Sequence, residues 1–259
     1  MISIDVIIAN KNNGLFLTKC IESILSQTLL PKEIIVVDDA STDDSISLLG
    51  PYVRSGKITL IQNQTSLGVA KSRNLGVMHG TGDYITTLDA DDFYYDINKL
   101  SAEAQVIMHG GNNTIAFSDV MRVDMQSKKM WLFSDKRHLH EGDLSFHISH
   151  LKGFIPRDYI VSRKIFMEVG GYNSNLRIYE DWDLKIKLSK LCYWRFSGVI
   201  GTAYRNNPKG LSRSPKKEHI LTMRSIFKEN LNQNNSFIRA ILLTRFFFYH
   251  SIYLGQPAI

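Results

Sequence analysis

Cysteine is scarce in this chain of 259 residues: there are two, Cys20 and Cys192. A disulfide framework needs more than that, and each thiol sits beside apolar residues, so both read as buried and free. An unbroken apolar run is also missing. The longest candidate, residues 237–255, is interrupted by Arg239 and Arg245, whereas a membrane-spanning helix needs roughly 20 apolar residues. A buried or interfacial helix is expected there. The opening MISIDVIIAN has no basic stretch ahead of its apolar run, so it reads as a buried strand and not as a signal peptide. Together with the scarce thiols, this points to the reducing cytoplasm. No internal repeat or low-complexity tract stands out. Four histidines, His138, His140, His147 and His150, crowd one polar segment, but their spacing matches no zinc pattern and no cysteine accompanies them. An exposed loop is the expectation for that segment.

What remains is an ordinary globular composition, 44% hydrophobic and 22% charged, enough to bury the core of one large domain. The net charge is +6 and the isoelectric point about 9.2, which suits a phosphate-rich partner: a nucleotide, a nucleic acid or an anionic membrane surface. The basic residues are dispersed and form no recognised nucleic-acid module, so nucleic acid is not expected as the partner. No signature of an oligomeric state is present.

Over the first hundred residues strand and helix patterns alternate. SIDVIIA, EIIVVDDA, KITLIQN and DYITTLDADD are short, mostly apolar runs, as strands buried on both faces should be. Between them lie GLFLTKCIESILSQ, with Leu17, Ile21, Ile24 and Leu25 on one helical face, then STDDSISLLGPYV with Ser41 as its expected N-cap, then GVAKSRNLGVMHG ending at Gly80. Such alternation predicts an α/β fold with a Rossmann-like, mixed but predominantly parallel sheet flanked by helices. After Asn98 the pattern changes. LSAEAQVIMHGG reads as a helix, TIAFSDVMRVD and KKMWLFSD as paired strands, and DYIVSR as a strand. KIFMEVGGY is expected to be a helix stopped by its glycines, YEDWDLKIKLSKL a helix with Leu184, Leu188 and Leu191 on one face, and YWRFSGVIGTAYR a long strand. A basic, helical tail follows Pro208.

Ligands of open α/β sheets bind at the carboxyl ends of the strands. Here those ends read Ala9-Asn10-Lys11-Asn12, Asp38-Asp39 and Asp89-Ala90-Asp91-Asp92. Several carboxylates should therefore meet at one edge, where like charges call for a cation, hydrogen-bond donors or water. An isolated D-x-D is usually a solvated turn. At a strand end, however, its oxygens suit a hard divalent cation, magnesium or manganese, which can clamp a diphosphate. Asp39 is placed to accept from the ring N–H of a base. Glu180-Asp181 reads either as first-turn acids that complement a helix dipole or as a functional pair.

Taken together, VIIANKNN, CIESILSQTLLPKEIIVVDDASTDDS, LGVAKSRNLGVMHGTGDYITTLDADD, VGGYN and YEDWDL resemble glycosyltransferase family 2, the inverting enzymes of GT-A fold. The segments follow the family's order and span about residues 3 to 185. The resemblance implies that the Ala9 backbone meets the base, that Asp39 reads a uracil ring and that Lys71 and Arg73 lie near the nucleotide. It places Asp89 at the ribose, with Ala90 in the same turn, and makes Asp91 the metal ligand with Asp92 beside it. Lys11 stands where the family often has an aromatic residue stacked on the base, which is a departure. Asp181 matches the general base, with Glu180, Trp182 and Gly171 on the acceptor side, where the histidine-rich segment would also lie.

The resulting expectation is an inverting, metal-dependent transferase that moves a sugar from a nucleoside-diphosphate donor, a UDP-sugar, to a hydroxyl. Its acceptor would be a glycan or lipid-linked oligosaccharide in bacterial surface polysaccharide synthesis. Residues 1–215 would form the GT-A domain, with a nucleotide-binding half (1–97) and an acceptor-binding half (98–215), and residues 216–259 a basic helical extension. Lys216, Lys217, Arg224 and Lys228, with the aromatic stretch of residues 245–253, would dock on the inner membrane face or pack on protein. A nucleotidyltransferase is the competing enzyme class, but the NKNNG loop lacks the glycine-rich, basic character needed to hold a triphosphate.

Overall fold

The computed structural model describes residues 2–135, 139–149, 157–208 and 214–230, with residues 240, 243 and 244 beyond them. At its centre is a five-stranded sheet. β1 (Ile4–Asn10) runs parallel to β2 (Glu33–Asp38) on one side and to β4 (Tyr84–Asp89) on the other. β3 (Thr59–Gln62) extends the parallel edge, and the short β8 (Val161–Ser162) closes the other edge antiparallel to β4. Successive side chains of a strand face opposite ways. Val6, Ile8, Ile34 and Val36 join one core, and Ile7, Ile35 and Val37 join the other.

Helices cover both faces, which is why these strands are apolar throughout. On the first face lie α1 (Gly14–Leu25), α2 (Ser45–Arg54) and α4 (Lys99–Gly110). Leu17, Cys20, Ile21 and Ile24 of α1 are buried there, a stripe at helical spacing. On the second face lie α3 (Val69–His79), α6 (Arg163–Glu168), α7 (Glu180–Leu188) and α8 (Lys216–Asn230). α3 packs unusually close: a Cβ on Gly76 would come within 2.5 Å of Ile7 Cγ2.

The second half carries its own four-stranded sheet, in the order β5 (Phe93–Tyr94), β9 (Tyr193–Arg205), β6 (Thr114–Val123), β7 (Lys129–Leu132). A single bridge between Ala116 and Ile160 ties it to the first sheet, with N–O distances of 2.8 and 3.1 Å. The expected mixed, largely parallel sheet flanked by helices is present, divided into two sheets that one bridge joins among the described residues.

Several local expectations change. Ser41 does not cap α2, which begins at Ser45 after Asp44. Asp43 instead accepts the amides of Ser45 and Gly14, and Ser41 Oγ accepts the Asn12 amide. The strand expected in DYIVSR shrinks to two residues, because Ile160 leaves β4 to pair with β6. Leu191 lies past the end of α7 and is exposed. Phe93–Tyr94, to which the sequence pattern assigned no element, pairs with β9. Within the histidine-rich segment, α5 (Ser145–Ser149) forms and the rings of His140 and His147 stack at 4.2 Å, while His138 and His150 lie outside the described residues.

The tail helix α8 turns its apolar side inward. Ile220, Met223, Ile226 and Phe227 are buried, and the last three share the core of Leu184 and Leu188 from α7. Lys216, Lys217 and Lys228 remain exposed, and Arg224 is half-buried. Among the described residues no helix is long and apolar enough to cross a membrane. Arg239, Arg245 and the aromatic stretch of residues 245–253 lie outside those residues.

Candidate active site

Register brings the polar strand ends together: Ala9 stands opposite Asp89, and Asn10 opposite Asp38. Asp38 is occupied structurally, accepting Asn10 Nδ2 at 2.8 Å and the Ser41 amide at 2.9 Å. Asp39 accepts four hydrogen bonds, from Asn63 Nδ2, Ser66 Oγ and the amides of Leu67 and Gly68, at 2.7–3.0 Å. Four is the full acceptor capacity of a carboxylate. Burial pushes its pKa up, but these donors outweigh burial and hold it below the usual value. Lys11 reaches the same loop, donating to Ser66 Oγ at 2.6 Å. Lys11 and Asp39 therefore converge around the loop of residues 63–68, while Ala9 stands between Val37 and Asp89 in the sheet.

Arg73 and Lys71 separate. Lys71 is exposed on α3. Arg73 is buried, and its guanidinium joins Asp89 Oδ1 to Glu180 Oε1, both at 2.6 Å. It stitches the end of β4 to the start of α7 and lies over the ring of Tyr172. Gly171 has a left-handed backbone (φ 63°), and a Cβ there would meet Asn74 Oδ1 at 2.8 Å. Asn74 in turn holds the backbone N–H and C=O of Tyr172. Gly171 thus shapes the site from below, by setting Tyr172 under Arg73.

Asp89, Asp91 and Asp92 form one cluster, each offering a carboxylate oxygen within 4.8 Å of the others. Ala90 is buried between them. Asp89 accepts a second guanidinium: Arg157 Nη1 lies 2.6 Å from Oδ2. Burial would raise the Asp89 pKa, but Arg157 and Arg73 together bring it below the usual range. Asp91 and Asp92 go the other way. Burial, then Asp89, raise Asp91. Burial, then Asp91 and Asp89, raise Asp92 well above a normal carboxyl. Asp91 Oδ2 accepts from Asn207 Nδ2 at 2.9 Å, and Asp92 Oδ1 accepts the Arg205 amide at 2.7 Å. Asp92 Oδ2 is buried without a hydrogen-bond partner. An orphaned carboxylate oxygen beside two other acids fits a hard divalent cation, whose preferred ligands are oxygens.

Asp181 sits in the first turn of α7, paired with Lys185 Nζ at 3.1 Å. Burial raises its pKa, but Lys185 and Arg157 more than compensate, so it is held below the usual range. Beside it, Glu180 is raised, by burial first, with Arg73 opposing and Asp181 adding. Trp182 packs half-buried on the core under Lys185. Just before the pair, Tyr179 adopts a left-handed backbone (φ 64°), costly for a bulky residue and common at sites held by their surroundings.

Sequence reading missed Arg157, Arg205, Asn207 and Lys185. Lys185 had a signal, its i+4 spacing from Asp181. Arg205 ends β9 and Asn207 follows it, and no local pattern links them to Asp91 and Asp92 more than a hundred residues earlier. Arg205 Nε donates to the Asp91 carbonyl at 2.8 Å, and Nη1 binds the carbonyls of Asp124 and Met125 and Ser127 Oγ.

The comparisons agree with this geometry. A PGL/p-HBAD biosynthesis glycosyltransferase of Mycobacterium bovis is 27% identical over 213 residues, 81% of this chain and 79% of that one. Residues 1–349 of S. aureus TarS in complex with UDP share the fold at a TM-score of 0.72 and 18% identity, covering 99% of this chain and 73% of that one. The complex of TarS 1–349 with UDP-GlcNAc gives 0.75 at the same identity, covering 97% and 73%. The family model described as glycosyl transferase family 2 matches residues 5–170. With more than half its length inside that match, and the acids of two strand ends brought to one sheet edge, this chain belongs to glycosyl transferase family 2 and is a glycosyltransferase.

Proposed function

We propose that the enzyme transfers a sugar, with inversion, from a UDP-sugar to a hydroxyl of a glycan or lipid-linked acceptor in bacterial surface polysaccharide synthesis. The observation that carries this reading is the single acid cluster. Asp89, Asp91 and Asp92 are linked through Arg73 to the turn that holds Asp181. Asp91 and Asp92 would hold manganese or magnesium, which when bound neutralises charge on the departing diphosphate. Asp181 is the proposed general base. Its carboxylate is kept ionised by Lys185 and Arg157, so it can accept the acceptor's proton as the new bond forms. Glu180 and Trp182 would frame the acceptor side, with Gly171 fixing the turn beneath them.

The donor's nucleoside would lie against Ala9, Lys11, Asp89 and Asp39, with Lys71 at the outer edge. To take a ring N–H, Asp39 must exchange one of its four donors. The Asn63 amide and the Ser66 hydroxyl are the two whose release frees no backbone group. UDP as the nucleotide is supported by the TarS complexes with UDP and UDP-GlcNAc, which share this fold. A lipid-linked acceptor would lie at a membrane surface. Contact of Lys216, Lys217 and Lys228 with an anionic membrane would bring such an acceptor within reach. Incubating a panel of nucleotide-sugars with manganese and following diphosphate release tests the donor. A UDP-sugar should be turned over fastest, and Asp91→Ala should abolish metal-dependent nucleotide binding. If Asp91→Ala binds UDP in manganese as the wild type does, the metal assignment falls.

A further inference from the structure

We propose that Arg157 is a binding residue for the donor's diphosphate, a role that deepens the function proposed above and rests on it. The argument begins with charge. Around the site stand five acids, Asp89, Asp91, Asp92, Glu180 and Asp181, and four basic residues, Arg73, Arg157, Lys185 and Arg205. Three of the bases are held by partners within the protein, although Arg73 Nε, itself buried, has no hydrogen-bond partner. Arg73 is 2% exposed and divided between Asp89 and Glu180. Lys185 is 3% exposed and holds Asp181. Arg205 binds three backbone carbonyls and a serine hydroxyl while stacking over Phe16 and Phe93.

Arg157 differs. Its one close partner, Asp89 Oδ2, belongs to a carboxylate already neutralised by Arg73 through the other oxygen. On that side Arg73 and Arg157 face Asp89 and Glu180, two guanidiniums against two carboxylates, so the charge there is balanced without a ligand. On the other side Asp91 and Asp92 crowd together, and among the described residues the one guanidinium paired with either is that of Arg157, 3.7 Å from Asp92, which leaves an excess of negative charge. A cation at Asp91 and Asp92 would answer that excess, and an anion held by the cation would come within reach of Arg157. A nucleoside diphosphate with its divalent ion has that charge pattern.

Geometry agrees. Arg157 Nη2 stands 3.7 Å from Asp92 Oδ2, too far for a hydrogen bond. That oxygen is buried with no hydrogen-bond partner. Donor and acceptor thus face each other across an unmade bond, in the gap a bridging ligand would fill. The guanidinium also lies over the Tyr204 ring, 5.1 Å from its centroid, and its side chain is 22% exposed. A planar fork that is stacked but still reached by solvent suits two phosphate oxygens better than a lysine ammonium would.

The test is titration of the full chain by UDP, UMP and inorganic pyrophosphate, in manganese and in EDTA, with Arg157→Gln and Arg157→Lys beside the wild type. Losing a charge-assisted bond to phosphate should weaken UDP and pyrophosphate at least about tenfold in Arg157→Gln. UMP, which lacks the second phosphate, should change much less. Arg157→Lys should recover part of the loss. Manganese alone should bind Arg157→Gln as tightly as the wild type or more tightly, since a nearby positive charge is gone. A role confined to packing would lower melting temperature without altering the UDP-to-UMP ratio. Equal UDP affinity in both variants and the wild type overturns the proposal while leaving the donor reading intact. A wild type that binds pyrophosphate but not UDP sinks the donor reading while Arg157 stands, and binding of neither removes both. If Arg157→Gln does not fold, Arg157→Lys carries the same comparison.

Discussion

Two guanidiniums on one carboxylate set the character of the site at the level of single residues. Asp89 has Arg73 on one oxygen and Arg157 on the other, so it stays ionised despite burial. Its neighbours Asp91 and Asp92 lack that help and are pushed up. The DADD sequence signalled acids at a strand end, but three adjacent aspartates with opposed shifts depend on arginines supplied from α3 and from the segment before β8. Asp181 was legible through its place in YEDWD, and its low pKa depends on Lys185, one helical turn on. Asp181→Asn keeps the shape but cannot take a proton. Transfer should fall by about 10²–10⁴-fold, while the dissociation constant for the UDP-sugar in manganese stays unchanged. Rate measurements with and without acceptor, beside a binding titration, check this. Transfer that survives the substitution would put the base elsewhere.

At the level of elements, the close seat of α3 on the sheet carries Arg73 to Asp89. Gly76 permits it, since any side chain there meets Ile7 and Val37. Alanine normally improves a helix interior by about 0.8–1.0 kcal/mol over glycine. Overpacking against a rigid strand costs about 1–3 kcal/mol, so the clash should win. Gly76→Ala is expected to lower stability, by up to about 2 kcal/mol on balance, and to weaken nucleotide binding as α3 shifts. Gly50→Ala in α2 is the control, because its Cβ would meet only the flexible end of Arg54, and stability there should hold or rise. Chemical denaturation of both variants decides the matter. Two equal losses would mean that the approach of α3 has no special role. The periodic patterns gave α1 to α4 and β1 to β4 nearly whole, since apolar spacing records which face is buried. Ser41 as a cap failed for a local reason: its hydroxyl is engaged by Asn12 and Asn10, and the chain makes another turn before α2 starts.

For the whole molecule, the basic tail helix is part of the core. Phe227 is fully buried with Ile226 and Met223, in the cluster that supports α7. Phe227→Ala should therefore cost about 3–5 kcal/mol, a fall in melting temperature on the order of 10 °C for a chain of this size. Lys217→Ala on the exposed side should change little, within about 0.5 kcal/mol. Calorimetry of the two variants tests whether α8 is an appendage or a structural member, and equal melting temperatures would favour the appendage. From its order of residues alone, the chain declared an alternating α/β fold, the strand ends that carry acids, the Glu-Asp pair at a helix start and the absence of disulfides. Each of these is written in short-range spacing: period two in strands, period 3.6 in helices, carboxylates where an apolar run stops. Tertiary structure decided which charges meet. Arg157 and Arg205 reach the acid cluster from 65 or more positions away in sequence, and α8 folds back onto α7. Contacts of that kind depend on how the two sheets are joined, and local sequence spacing carries no record of the joint.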